Sequence, residues 1–223
     1  MKKPKIFIAC DTTSIKKIKL IINHSQSSKI NFGYKFGLEF LNSKFGRKFV
    51  ASLKNKITFG DYKLADIPNT CASAIKAVRD LKLNYITIHI SSGIKALREA
   101  KKVSGKTKLI GVTILTSLDN KSLKEIGFNK NVKKLVLHQA KLATKAKLDA
   151  IVCSPHEIKI VKKIFKKEII TPGIRLTGDK KSDQKRIMTP KEAFQNGATA
   201  LVMGRSLTSN IKKNIKKLIR ELN

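Results

Sequence analysis

Short apolar runs rich in β-branched residues alternate with amphipathic stretches from one end of this chain to the other, and that alternation constrains the fold more than any other feature. Eight such runs stand at residues 6–10, 33–37, 57–61, 85–90, 109–114, 150–153, 169–171 and 200–203. Strands that alternate with helices build βα units around a parallel sheet. Eight units close a (β/α)8 barrel, and a chain of 223 residues lies within the range of one. The expectation is an α/β fold, a single barrel domain over residues 1–223. The sequence has no Gly-x-Gly-x-x-Gly and no Walker loop to favour an open nucleotide-binding sheet. In a barrel, polar residues at the carboxyl ends of strands are the candidates for catalysis and binding.

The third run leads into Asp61-Tyr62-Lys63-Leu64-Ala65-Asp66-Ile67-Pro68-Asn69-Thr70, read as a strand that ends at Asp61 and passes through a loop to a helix beginning near Ala72. Successive side chains on a strand alternate faces, so Asp61 and Lys63 point the same way. Burying charge is costly unless it is paired, so Asp61, Lys63 and Asp66 at one strand end suit a site; from spacing alone, a surface ion pair at a turn reads as well. Other strand ends carry Asp11, which also suits a helix cap with Thr12-Thr13-Ser14, and Lys35, which at an edge also suits solvent. His89 is read as orienting a loop, with proton transfer the lesser alternative, and Thr116-Ser117 also suit a cap. After the eighth run, Gly204-Arg205 combine close backbone approach, helical N–H groups and a planar guanidinium, a set suited to phosphate. The long polar stretch 176–187 suggests a lid. His24, His138 and His156 lack ligand spacing, and no metal site is expected.

The pattern Asp-x-Lys-x-x-Asp-Ile-Pro-Asn-Thr over residues 61–70 resembles the active-site segment of the orotidine 5'-phosphate decarboxylase family, enzymes that convert OMP to UMP and CO2 in the last step of de novo pyrimidine synthesis. Asp-x-Lys-x-x-Asp alone resembles the related sugar-phosphate decarboxylases equally; Ile67-Pro68-Asn69-Thr70 selects the orotidylate branch. Leu64 and Ala65 stand where an aromatic and a His are common in the family, as Pro155 stands for a common Ala in the stretch 149–156, which implies altered packing. Matching motifs at six of the strand ends extend the resemblance over nearly the whole chain. It implies a TIM barrel and cofactor-free decarboxylation. Lys35, Asp61, Lys63 and Asp66 would form an alternating charge row, with Lys63 the proton donor to C6, Lys35 and Asp61 holding it, and Asp66 near the substrate carboxylate. The resemblance gives Asp11 the ribose hydroxyls, Thr116 the pyrimidine, and Arg175, Gln184, Gly204 and Arg205 the phosphate, with Gln184 on a gripping loop. It also implies a homodimer in which the 66–70 loop, with Asp66, Ile67 and Thr70, completes the partner's site.

Composition bears on the competing readings. A net charge of +33 suggests nucleic acid or an anionic surface. Of 48 basic residues, however, only seven are Arg, and the Lys are spread through every helix among abundant Ile and Asn, as AT-rich coding gives. A dedicated reader of nucleic acid combines clustered Arg with stacking aromatics, which are 6% here, so only salt-sensitive polyanion binding is expected. A Mg2+-dependent 3-keto-L-gulonate 6-phosphate decarboxylase is the alternative within the fold. Cys10, Cys71 and Cys153 are widely separated, which suits a reduced compartment. The basic start is followed by an apolar run too short for a signal peptide, and no stretch approaches membrane-spanning length, so a cytoplasmic location is expected. The basic amphipathic stretch 210–223 is read as the closing helix of the barrel.

Overall fold

The computed structural model describes residues 3–179 and 188–222. Eight parallel strands close into a barrel in sequence order: β1 Lys5–Ala9, β2 Asn31–Phe36, β3 Ile57–Leu64, β4 Tyr85–His89, β5 Lys108–Val112, β6 Ala150–Val152, β7 Glu168–Thr171 and β8 Ala200–Met203, with β8 pairing back onto β1. Each run read from the sequence became a strand whose ends agree within two residues, except at β3. The helices are α1 Ile15–His24, α2 Leu38–Leu41, α3 Gly46–Ser52, α4 Pro68–Ala77, α5 Gly93–Val103, α6 Asn120–Glu125, α7 Val132–Lys145, α8 Ile158–Ile164, α9 Pro190–Asn196, α10 Arg205–Thr208 and α11 Ile211–Leu222. Among the described residues, no helix is long and apolar enough to cross a membrane.

Local sequence explains where these helices sit. In α1, Ser14 caps the first turn by accepting from Lys17 N at 3.3 Å, and Ile18, Ile21 and Ile22, spaced three and four apart, form the buried face. In α9, Thr189 and Glu192 make a reciprocal capping box, Pro190 occupies the first turn, and Gly197 ends the helix at φ +107°, a conformation that favours glycine. The closing helix α11 buries Ile215 and Leu218 against the barrel and leaves Lys212, Lys213 and Lys216 to solvent, while Lys217 donates to Thr177 O.

Strand alternation sorts each β residue to the inside of the barrel or to the helices. Facing inward, Phe7, Phe59 and Tyr85 pack edge-on, Phe7 lying 5.2 Å from Phe59 and 5.1 Å from Tyr85 between ring centroids. Ala150, Ala200 and Gly33 give them room; a Cβ on Gly33 would stand 2.8 Å from the Phe7 ring. These aromatics fill the amino half of the barrel, and Phe7→Ala would cost about 3–5 kcal/mol. The same alternation carries the inward face upward. Ala9 leads to Asp11, Gly33 to Lys35, Phe59 to Asp61, Ile110 to Val112, Ala150 to Val152, and Val202 to Gly204.

Candidate active site

Those upward-leading positions surround a cavity of about 280 Å3 at the carboxyl ends of the strands. Asp11, Lys35, Asp61, Lys63, Thr116, Arg175, Gly204 and Arg205, all singled out in the sequence, line it together with apolar Val112, Ile114, Val152 and Val202. The described part of the wall therefore carries four cations and two carboxylates in an otherwise largely apolar enclosure.

Asp61 is the centre of the charged side. Its Oδ2 lies 2.8 Å from Lys63 Nζ and 3.3 Å from Lys35 Nζ, and Lys35 also reaches Asp11 Oδ1 at 3.3 Å. Burial pushes the Asp61 carboxyl up, but the Lys35 and Lys63 ammonium groups outweigh it and hold the carboxyl below its ordinary range. For Lys35, burial favours the neutral amine, yet Asp61 and Asp11 together raise its pKa. Both groups therefore stay charged near neutral pH although each side chain is only about a tenth exposed, 12% for Lys35 and 10% for Asp61.

The backbone under this pair differs from the sequence expectation. β3 does not end at Asp61 but runs to Leu64, and α4 starts at Pro68 rather than near Ala72, because proline suits the first turn. Nor is the strand straight. Gly60 pairs with Ile86 and Leu64 with Ile88, so four steps along β3 match two along β4 and the chain bulges between them. Inside the bulge Lys63 takes φ +49°, the left-handed region that side chains other than glycine rarely adopt. Asp61 and Lys63 do meet, but through this bulge and not through simple strand alternation.

The sequence reading missed Thr87 of β4, which stands opposite the bulge and is fully buried. Its Oγ1 accepts from Lys63 N at 2.8 Å and donates to Asp61 Oδ1 at 3.1 Å. The available signal was parity: with Tyr85 facing inward, Thr87 must also face inward, and a hydroxyl there needs a partner. His89, on the same strand, is half-buried; burial and the Lys63 charge lower its pKa, and it does not line the described cavity.

At the opposite rim, Arg175 is buried and its Nη1 donates to Ile174 O at 3.1 Å, while Arg205 opens the exposed start of α10. The chain after β7 is anchored there by Ser206, whose Oγ accepts from Leu176 N at 3.0 Å and donates to Asp179. Arg175 N donates to Met188 O at 3.1 Å, which ties the two described sides of the segment together. Gln184 and most of the stretch read as a lid lie outside the described residues. Thr116 sits in the turn after β5, and Asp119 caps α6 in place of Thr116 or Ser117.

Asp66, Ile67 and Thr70 are not among the described residues that line this chain's cavity. All three are exposed, Ile67 by 66%, and Asp66 Oδ1 accepts from the neighbouring Ile67 N at 2.7 Å.

Comparison with known proteins narrows what this arrangement serves. The orotidine 5'-phosphate decarboxylase / HUMPS family model matches residues 4–216. A protein of Prochlorococcus marinus (strain MIT 9215) named orotidine 5'-phosphate decarboxylase is 42% identical over 224 aligned residues, covering 94% of this chain and 91% of its own length. One of the same name from Wolbachia sp. subsp. Brugia malayi (strain TRS) is 46% identical, covering 83% of this chain and 84% of its own. The crystal structure of orotidine 5'-phosphate decarboxylase from Lactobacillus acidophilus superposes with a TM-score of 0.83 at 28% identity, covering 100% of both chains.

Proposed function

The chain belongs to the orotidine 5'-phosphate decarboxylase / HUMPS family, and from that premise we propose that it is a carboxy-lyase converting OMP to UMP and CO2, the closing step of pyrimidine nucleotide synthesis, without metal or organic cofactor. The observation that carries the reading is Lys63 Nζ held 2.8 Å from Asp61 Oδ2 on the wall of a cavity that also carries Arg175 and Arg205. A substrate with a phosphate at one end and a carboxylate at the other suits such a cationic enclosure.

In the proposed reaction the C6–carboxylate bond breaks, CO2 leaves, and the electron pair stays on C6 as an sp2 carbanion. Lys63 then transfers an ammonium proton to C6, forming the C6–H bond of UMP, and regains a proton from solvent. A fixed ammonium beside the developing carbanion stabilises it without reorganisation, and the low exposure of Asp61 and Lys35 strengthens that effect. Asp61 and Lys35 hold Lys63. Asp11 accepts from the ribose hydroxyls, Thr116 contacts the pyrimidine, and Arg205 with Arg175 and Gly204 binds phosphate, assisted by Gln184. Remote phosphate binding thus supports the chemistry at C6.

Asp66 belongs to the reading as a group supplied by the partner in a C2 homodimer, with Ile67 and Thr70. Their exposure and absence from this chain's described cavity support that role. The free, buried cysteines Cys10, Cys71 and Cys153 fit a reducing cytoplasm. UMP formation from OMP, measured with and without EDTA, tests the proposal: equal activity in both is expected. Activity abolished by EDTA and restored by Mg2+ would overturn cofactor independence, and absence of UMP would overturn the activity.

A further inference from the structure

We propose that Thr87 is a positioning residue for this decarboxylation, its hydroxyl fixing the Asp61–Lys63 pair against the cavity by donating to the Asp61 carboxylate and accepting from the Lys63 backbone. The inference rests on the activity proposed above and adds a residue that does not line the described cavity.

The direction of both hydrogen bonds follows from valence. A backbone N–H only donates, so Lys63 N takes a lone pair of Thr87 Oγ1 at 2.8 Å, and the single hydroxyl proton goes to Asp61 Oδ1 at 3.1 Å. Asp61 Oδ2 is occupied by the two ammonium groups. The carboxylate is therefore held at both oxygens, and its plane cannot turn without breaking a bond on one side or the other.

Thr87 also answers a backbone problem. The β3 bulge removes Lys63 N from the regular ladder, and Lys63 stands at φ +49°. A buried N–H without a partner is strongly unfavourable, and a left-handed lysine persists only where its surroundings hold it. The Thr87 hydroxyl supplies the missing acceptor from the facing strand. Threonine fits the place because its oxygen sits one bond from a stiff Cβ, on a residue that is fully buried. With the hydroxyl gone, the carboxylate is free to swing toward Lys35 and carry the Lys63 ammonium away from C6. The phosphate rim is unaffected by that movement, so the effect falls on turnover and not on ligand affinity.

The test compares Thr87→Val, Thr87→Ser and the wild type for OMP turnover, UMP affinity and melting temperature. Thr87→Val is expected to lose roughly ten- to a hundredfold in kcat with UMP affinity within about threefold of wild type, and Thr87→Ser to keep kcat within about threefold. The inference is overturned if Thr87→Val keeps its kcat, if Thr87→Ser falls as far as Thr87→Val, or if kcat falls only as UMP affinity does. Should Thr87→Val not fold, Thr87→Ala removes the hydroxyl without placing a carbon beside the carboxylate, and the same comparison with Thr87→Ser decides. A wild type that makes no UMP marks failure of the activity itself, and this role falls with it.

Discussion

At each end of the barrel one carboxylate is gripped by two lysines and a hydroxyl. At the amino end Glu168 takes Lys5 at 3.2 Å, Tyr85 Oη at 3.0 Å and Lys108. At the carboxyl end Asp61 takes Lys63 at 2.8 Å, Lys35 at 3.3 Å and Thr87 Oγ1 at 3.1 Å. The groups are nearly the same, and the backbones beneath them are not. Tyr85 pairs with Lys108 and Ala150 with Glu168 in unbroken parallel ladders, over an interior filled by Phe7 and Phe59. Lys63 instead stands in a bulge at positive φ, beside a cavity lined by both charged and apolar side chains. Water reaches the amino-end cluster, where the Lys108 side chain is 45% exposed, and screens it. The difference teaches that a charge cluster on regular backbone ties strands together, whereas a similar cluster on a bulge points its charge into a cavity, where the proposed chemistry would use it.

Breaking the carboxyl-end cluster should have the largest effect. Lys63→Ala removes both the proposed proton donor and one charge of the row, so OMP turnover should fall by more than the ~10²–10⁴ of a general acid alone. UMP affinity should remain, and a variant retaining a tenth of wild-type turnover would refute the assignment. Arg205→Ala should act through the phosphate, lowering kcat/KM for OMP about a hundredfold and for orotidine, which lacks the phosphate, far less. Equal losses on the two substrates would remove Arg205 from the phosphate end.

A subtler break separates the two chains of the proposed dimer. When inactive Lys63→Ala and Asp66→Ala variants exchange subunits, a mixed dimer concentrates both lesions in one site and leaves the other intact. Random reassortment of equal amounts should restore roughly a quarter of wild-type activity. If Asp66 served its own chain, the mixture would stay inactive.

The smallest effect on turnover is expected at the amino end. Glu168→Gln should leave kcat within about twofold and lower stability by about 1–3 kcal/mol. Burial pushes the Glu168 carboxyl up, but Lys108 and Lys5 hold it below its ordinary value of 4.5. A folded pKa below the unfolded one contributes stability that is full above about pH 4.5 and is lost as pH falls through the folded value. Acid melting curves should therefore show wild type losing stability faster than Glu168→Gln below pH 4.5, and parallel curves would contradict this role.

The two ends differ in how far the sequence reveals them. Strand periodicity is local, so all eight strands could be read from short runs, and Asp61, Lys63 and Arg205 announced themselves as charged groups at or just past strand ends. The amino-end cluster draws Lys5, Tyr85, Lys108 and Glu168 from four strands scattered along the chain, so no spacing reveals it. The β3 bulge was hidden for a different reason. A two-residue alternation predicts the same facing for Asp61 and Lys63 whether or not the strand is regular, and only the pairing with β4 exposes the slip. Thr87 was overlooked because threonine among isoleucines reads as ordinary strand propensity.

The central contrast is tested most directly by measuring OMP turnover and melting temperature on Lys63→Ala, Glu168→Gln and the double variant. Lys63→Ala should lose turnover and melt within about 2 °C of wild type, while Glu168→Gln should keep turnover and melt roughly 2–10 °C lower. The double variant should show the turnover of the first and the melting temperature of the second, as independent distant sites do. A Glu168→Gln variant as inactive as Lys63→Ala, or a Lys63→Ala variant that melts as early as Glu168→Gln, would contradict the division of the barrel into a structural end and a chemical end.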